Sequence, residues 1–557
     1  MRFFRSTFFV LIMSLFIISC GQQPADLVFR NGKIATVDEN FSYAEAVAIK
    51  GEKFIFVGDN TGIEEYIGDN TEVIDLNGKL AVPGLIDAHG HLPGLGQALE
   101  NLDFVGTTSF QQILNIVENK VRTVQPGEWI LGRGWDQNDW DNKQFPNHDA
   151  LSRISPDNPV FLTRIDGHAA IANAKAMELA GINSQTSDPE GGKIYHKSNG
   201  NPTGVLIDIA MDLVSEKIPP LSVERRRETL IKAAEACLSV GLVSMHDAGV
   251  GTDIIEDYKY LIEQDKFPFR VYAMISDPGL DDLDTFLKTN YLPDFKNHYL
   301  SARSVKMLAD GALGSRGAAF LEDYSDDPGN TGLLTASYER MAFVSKAALR
   351  SGYQVNIHAI GDRGNRLVLN AFEEALKEYP TDDHRFRNEH SQIIALEDFP
   401  RFKELGVIPS MQPTHATSDM YWAQDRVGPE RIKGAYSWRT LINDGNIIPC
   451  GSDFPVESHN PMLGFYAAIT RQDKDGWPEG GWQPEQRMTR EETLKGFTIW
   501  AAYSAFQEDV LGSVEVGKFA DLTVLSKDIL TVEPKEILTT EPVYTVVGGK
   551  IRFPFNK

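Results

Sequence analysis

Between residues 82 and 504 the chain keeps repeating one pattern, in which short apolar runs alternate with amphipathic stretches of helical spacing. Residues 241–247 form such a run after the helix-like 225–239, and residues 353–358 follow the helix-like 338–351. Regular β-then-α alternation over several hundred residues predicts a parallel sheet, either closed into a barrel or doubly wound. No Gly-x-Gly-x-x-Gly follows a strand-like run, and no Gly-x-x-x-x-Gly-Lys-Ser/Thr occurs. Nucleotide-binding sheets therefore lose ground, and an α/β fold built on a (β/α)8 TIM-like barrel leads.

The two ends of the chain have a different texture. Residues 26–80 are short β-branched runs joined by Asn31-Gly32, Lys50-Gly51 and Asn77-Gly78, the dipeptides of tight hairpins. Residues 520–525 and 543–551 repeat it. Neither end is large enough for a core of its own, so residues 21–81 and 505–557 are predicted to pack as one small composite β-sandwich. Within the barrel segment, residues 99–223 are rich in aromatics, Asp, Asn and Pro, which predicts an insertion over the barrel mouth.

Residues 1–20 carry Arg2 and Arg5, then an apolar run from Phe8 to Ile18, then Ser19-Cys20. That is the form of a bacterial export signal, too short for a comfortable membrane span. A small residue before cysteine resembles a lipobox, so Cys20 is expected to be lipidated. The mature protein would then be exported and held at the cell envelope by that lipid alone. Lys and Arg number 54 against 78 Asp and Glu, a formal charge of −24. Such a balance argues against nucleic acid or an anionic lipid surface as a partner, and a small-molecule substrate is expected. With cysteines only at Cys20, Cys237 and Cys450, metal ligands have to come from the 12 His and the carboxylates.

Residues 81–91 read Ala-Val-Pro-Gly-Leu-Ile-Asp-Ala-His-Gly-His, an apolar strand ending in His-x-His. Side chains alternate along a strand, so His89 and His91 face the same side and can hold one cation. Polar residues follow at further strand ends: Lys306 in Val-Lys-Met-Leu, His358, His390, and Asp453 after an apolar run and Gly-Ser. A lysine buried in a strand is costly unless paired or chemically altered. The C-terminal ends of barrel strands are where this fold places its active site.

These runs, together with Asp166-Gly167-His168, Asp310-Gly311-Ala312-Leu313-Gly314-Ser315-Arg316, Asn388-Glu389-His390, Gln412-Pro413-Thr414-His415 and Gly451-Ser452-Asp453-Phe454-Pro455, carry a resemblance. The chain resembles the amidohydrolase superfamily, and within it the family 3 branch of metal-dependent hydrolases that includes N-substituted formamide deformylases. The resemblance spans nearly everything after residue 20. It implies His89 and His91 on a buried metal, Lys306 as a possible carbamate bridging two metals, and His358 and His390 on the second. Asp453 would ligate a metal and shuttle the proton. A divalent cation, zinc by ligand type, brings the pKa of a coordinated water near neutrality and polarises the scissile carbonyl. Lys306 stays open between a carbamate and a free amine paired with a carboxylate, which decides between two metals and one.

Around that centre, His168 resembles a substrate-facing histidine, Gln412 and His415 match positions near the barrel mouth, and Trp135 with Trp140 could wall the pocket. His246 and Asp247 end another strand and are read as structural. The expected reaction is hydrolysis of an amide-like C–N bond. Hydrolysis of an ester, lactone or phosphoester on the same metals is the enzymatic alternative. A non-catalytic tethered binding protein is the other, although the complete ligand set argues against it.

Overall fold

A computed structural model of the chain describes residues 23–555 except 166, 168, 190 and 191. Its centre is a sheet whose strands pair in parallel in chain order: β1 (Leu85–Gly90), β2 (Leu242–Val250), β3 (Arg270–Ser276), β4 (Leu300–Leu308), β5 (Gln354–Ala359), β6 (Arg387–His390) and β7 (Ile408–Ser410). Residues 449–454 close the ring. Their Pro449 carbonyl and Gly451 amide bond to Met411, just beyond β7, while the Cys450 carbonyl accepts from Ala88 at 3.0 Å and the Asp453 amide donates to His89 at 2.7 Å. The strands are buried almost throughout, as expected when helices cover the outer face of a parallel sheet and side chains fill its interior. The (β/α) barrel read from the alternation is the fold.

The helices begin where the sequence supplies caps. Ser222 accepts from the Arg225 amide to start α1 (Val223–Ser239), and Ser337 does the same from Arg340 for α2 (Tyr338–Ser351). Gly352, at φ 73°, ends α2 in the left-handed conformation that favours glycine.

The beginning of the chain forms one sheet of its own and shares a second with the end of the chain. One sheet holds Leu27–Arg30, Ala46–Lys50, Lys53–Gly58 and Glu72–Asp75. In the other, Leu80–Pro83 pairs antiparallel with Leu522–Leu525, so the beginning of the chain is stitched to its end. Phe29, Val47, Phe54, Leu522 and Val546 share one apolar core between them. A buried bidentate pair, Arg270 Nε to Asp521 Oδ2 at 2.7 Å and Arg270 Nη2 to Oδ1 at 3.1 Å, ties this region to β3.

The segment between β1 and β2 forms a six-stranded sheet of its own, including Ile130–Trp135, Val160–Arg164 and Pro202–Asp208. It touches the barrel where Arg133 donates to the Pro455 carbonyl at 3.2 Å, just past Asp453. Cys20 and its lipobox lie outside the described residues. Among those described, no helix is long and apolar enough to cross a membrane.

Candidate active site

The C-terminal strand ends surround a cavity of about 720 Å³. His89 and His91 from β1, Lys306 from β4, His358 from β5, His390 from β6 and Asp453 from the closing segment all line it. His415 joins them from α3 (Pro413–Asp419), the helix that follows β7.

Backbone geometry brings these side chains together. A Cβ on Gly451 would lie 2.5 Å from the His89 amide nitrogen, so only glycine lets the closing segment approach β1 so closely. Asp87 staples the same junction: its Oδ1 accepts from the amides of His89 (3.0 Å) and Ser452 (3.1 Å), and its Oδ2 accepts from the Ser452 hydroxyl (2.6 Å). Burial pushes the Asp87 carboxyl up to about 7 despite these bonds. His390 (φ 70°) and Asp453 (φ 61°) both sit in the left-handed region. Non-glycine residues held there are strained, and such strain concentrates at working sites.

Asp453 is the hub. Its Oδ1 lies 3.0 Å from His91 Nε2 and 3.6 Å from His89 Nε2, and its Oδ2 lies 3.7 Å from His415 Nε2. The His390 and His415 rings stack at 5.8 Å. Two sets of donor atoms result, His89 with His91 and Asp453, and His390 with His415 and Asp453, each set within 4.8 Å. Nε2 of His89, His358 and His415 and Nδ1 of His390 are buried without a hydrogen-bond partner. Imidazole nitrogens and a shared carboxylate have the donor chemistry of a divalent cation such as zinc, and binding one would satisfy polar atoms otherwise costly to bury. The residues present fit a metal.

Their protonation suits it too. Burial, then the charge of Lys306, pulls His89 down to about 4 and His358 down to about 3, and burial takes His390 well below its ordinary value. All three are neutral at neutral pH, the form that ligates. Burial alone would raise the Asp453 carboxyl, but His91, His89 and His390 hold it well below the usual range. Burial also lowers Lys306, against the pull of Glu389 and Asp453.

Beneath the histidines lies a buried charged layer. Glu389 Oε2 is 2.5 Å from His89 Nδ1, and its Oε1 is 2.6 Å from Arg387 Nε. Burial would raise the Glu389 carboxyl, yet Arg387 and His89 hold it far below the carboxylate range. Arg387 also donates to the Ala88 carbonyl (2.6 Å) and the Ser410 hydroxyl (2.8 Å), and lies 2.8 Å from His246 Nδ1. His246 is thus part of the floor, in line with a structural role. Asp310 accepts from the Ile360, Ala319 and Gly361 amides and sits 3.6 Å from His358 Nε2, which accounts for its motif.

Other expected contacts fall elsewhere. Trp135 does not line the cavity: its ring is wholly buried in the core of the insertion, beside Trp140 and Phe145, with its indole N–H on the Leu162 carbonyl at 2.8 Å. A large apolar ring is better buried in that core than at a wet rim. Trp140 belongs to the same core. Gln412 is also buried, 3.5 Å from the Ser410 carbonyl at the start of α3, and is not on the cavity wall. His168 lies outside the described residues. In their place the wall carries Trp422, Asp419 and Glu457, which no strand-end pattern singled out.

Comparison with known proteins accords with this geometry. The chain is 35% identical over 549 residues to Protein LONG AFTER FAR-RED 3 of Arabidopsis thaliana, covering 95% of this chain and 92% of that one. It is 27% identical over 548 residues to an N-substituted formamide deformylase of Arthrobacter pascens, covering 95% and 99%. A solved structure titled an uncharacterized metal-dependent hydrolase, from Pyrococcus furiosus, superposes with a TM-score of 0.74 at 29% identity, covering 91% of this chain and 100% of that one. The model of the amidohydrolase family matches residues 72–553. The chain therefore belongs to the amidohydrolase family and is a metal-dependent enzyme that hydrolyses carbon–nitrogen bonds.

Proposed function

We propose that the enzyme cleaves an amide-like C–N bond in a small molecule, with His89, His91 and Asp453 holding one zinc ion and His358 and His390, beside His415, holding a second. Lys306, as a carbamate, would join the two. The observation that carries this reading is that two donor sets, His89 with His91 and Asp453 and His390 with His415 and Asp453, share Asp453 in one strand-end cavity that His358 and Lys306 also line. A relative named for N-substituted formamides supports amide substrates of that kind.

When bound, the metal supplies Lewis acidity, making water nucleophilic near neutral pH and polarising the carbonyl. Asp453, held unprotonated by three imidazoles, accepts the proton of the attacking water and passes it to the leaving nitrogen. Glu389 and Arg387 keep His89 oriented from below, and the narrow approach at Gly451 keeps Asp453 against β1. Turnover of a panel of N-acyl amines, cyclic amides and matched esters by zinc-loaded protein tests the reading. Cleavage of amides that stops on chelation is expected, and cleavage of esters alone would overturn it.

We also propose that Cys20 carries a lipid that holds the exported enzyme at the bacterial envelope. The apolar run ending in Ser19-Cys20 supports this.

A further inference from the structure

The cavity has a second chemistry on α3. His415 turns toward Asp453, and Asp419 follows at i+4 on the same helical face, about 5–6 Å further along. Both donors to Asp419 bind one of its oxygens: Gln392 Nε2 donates to Oδ2 at 3.0 Å and the Tyr436 hydroxyl donates to the same Oδ2 at 2.5 Å. Tyr436 is itself fixed, because its carbonyl accepts from the buried Arg471 at 3.0 Å. The carboxylate is thus anchored through one oxygen, while among the described residues none donates a hydrogen bond to Oδ1, and Asp419 lines the cavity.

The charges along that wall are unbalanced. Asp277 is matched by Arg340, whose Nε donates to it at 2.8 Å, and Asp453 faces imidazoles. Glu457 lines the same cavity and makes no ion pair among the described residues. Trp422 lines the same cavity, and Arg426, 5.5 Å from its ring, is engaged by Asp326 and the Gly314 carbonyl. Among the described lining residues Lys306 is the one lysine or arginine, and it stands with the histidines and Asp453 at the metal donors.

We propose that Asp419 and Glu457, with Trp422 as the wall, form a subsite for a cationic group, so that the substrate is an amide bearing a protonated amine or guanidinium. This rests on the amide-hydrolase reading. A carboxylate-bearing substrate, such as an N-acyl amino acid, would meet two like charges there, whereas an ammonium gains charge-assisted hydrogen bonds. Asp419 and Glu457 are then specificity-determining residues that act on the substrate, one helical turn from the reacting centre.

The test uses zinc-loaded full-length protein and three matched formamides: the mono-formyl derivative of an alkyl diamine, of the isosteric alkylamine, and of the corresponding amino acid. Wild type should favour the cationic compound over the neutral one by about 10- to 100-fold in kcat/KM, and the anionic compound should be worst. That ratio should fall toward unity in Asp419→Asn and, independently, in Glu457→Gln, whose side chain makes no ion pair among the described residues. Preference for the neutral or anionic compound, or a ratio unchanged in both variants, overturns the proposal. If none of the three is hydrolysed, formamides are not the substrates, and the wider amide panel decides the amide reading. Calorimetric binding of the same intact compounds then decides the subsite alone: tighter binding of the cation that the variants lose upholds it, and equal binding of all three overturns it.

Discussion

Nδ1 of His89 lies 2.5 Å from Oε2 of Glu389, a residue 300 positions further along the chain. Because Arg387 and His89 keep Glu389 ionised, its carboxylate can only accept, so Nδ1 carries the proton and Nε2 presents its lone pair toward Asp453. Partners of this kind fix the tautomer and raise ligand basicity. Glu389→Gln should weaken metal binding about 10- to 100-fold. Chelator competition measures it, and added zinc should restore much of the activity. An unchanged dissociation constant would remove Glu389 from this role.

Asp453→Asn should nearly abolish turnover with the fold intact. Asparagine keeps the shape and a carbonyl oxygen, but it cannot take the proton of the attacking water. The loss of general acid–base function is about 10²- to 10⁴-fold in kcat. Metal content measured alongside separates lost chemistry from lost metal. A variant that keeps both its metal and its kcat would reduce Asp453 to a plain ligand.

Lys306→Ala should lower bound metal from about two equivalents toward one, since a bridging carbamate needs the lysine nitrogen. Elemental analysis against wild type gives the answer. Equal content would mean that the amine stays unmodified and bridges nothing.

Acid should affect the metal site late. His89 and His358, pulled down to about 4 and about 3, stay neutral until the pH falls to those values, so protons compete with a cation at these two rings only there. Proton uptake by these two rings, followed by ring NMR of stripped protein, should be absent from about pH 8 to about pH 5 and set in below about pH 4. A midpoint near the ordinary imidazole value of about 6.5 would show these rings to be hydrated rather than buried.

Cys20→Ala should leave a folded, active enzyme that is released from membranes. Stable anchoring takes two acyl chains, so losing their attachment point should matter. Fractionation after a high-salt wash measures it, and a variant still bound to membranes would point to another anchor.

The barrel and its donor ring were legible because both follow local rules. Period-two alternation puts His89 and His91 on one side, and the β-then-α rhythm puts His358, His390 and Asp453 at the same end of the sheet. What was hidden depends on pairings across the barrel. Glu389 stood in a quoted motif without a role, because nothing local says that it meets His89. Trp135 and Gln412 looked available from their neighbours in sequence, yet one found the core of the insertion and the other the start of α3. A helical reading of residues 413–419 would have placed His415 and Asp419 on one face.

The strand Leu80–Pro83 has a consequence for how the protein is made. One of its edges is taken by Lys33–Ala35 early in the chain, but the other waits for Leu522–Leu525. Thr523, which meets the Leu85 amide at that seam, is 438 residues further on. At about 5–20 residues per second a ribosome needs tens of seconds to reach it. Until then the nascent chain carries a bare apolar strand edge, a template for pairing with other chains. Losing the last few dozen residues would make that exposure permanent. A cell producing this enzyme therefore has to shelter the beginning of the chain until its end arrives.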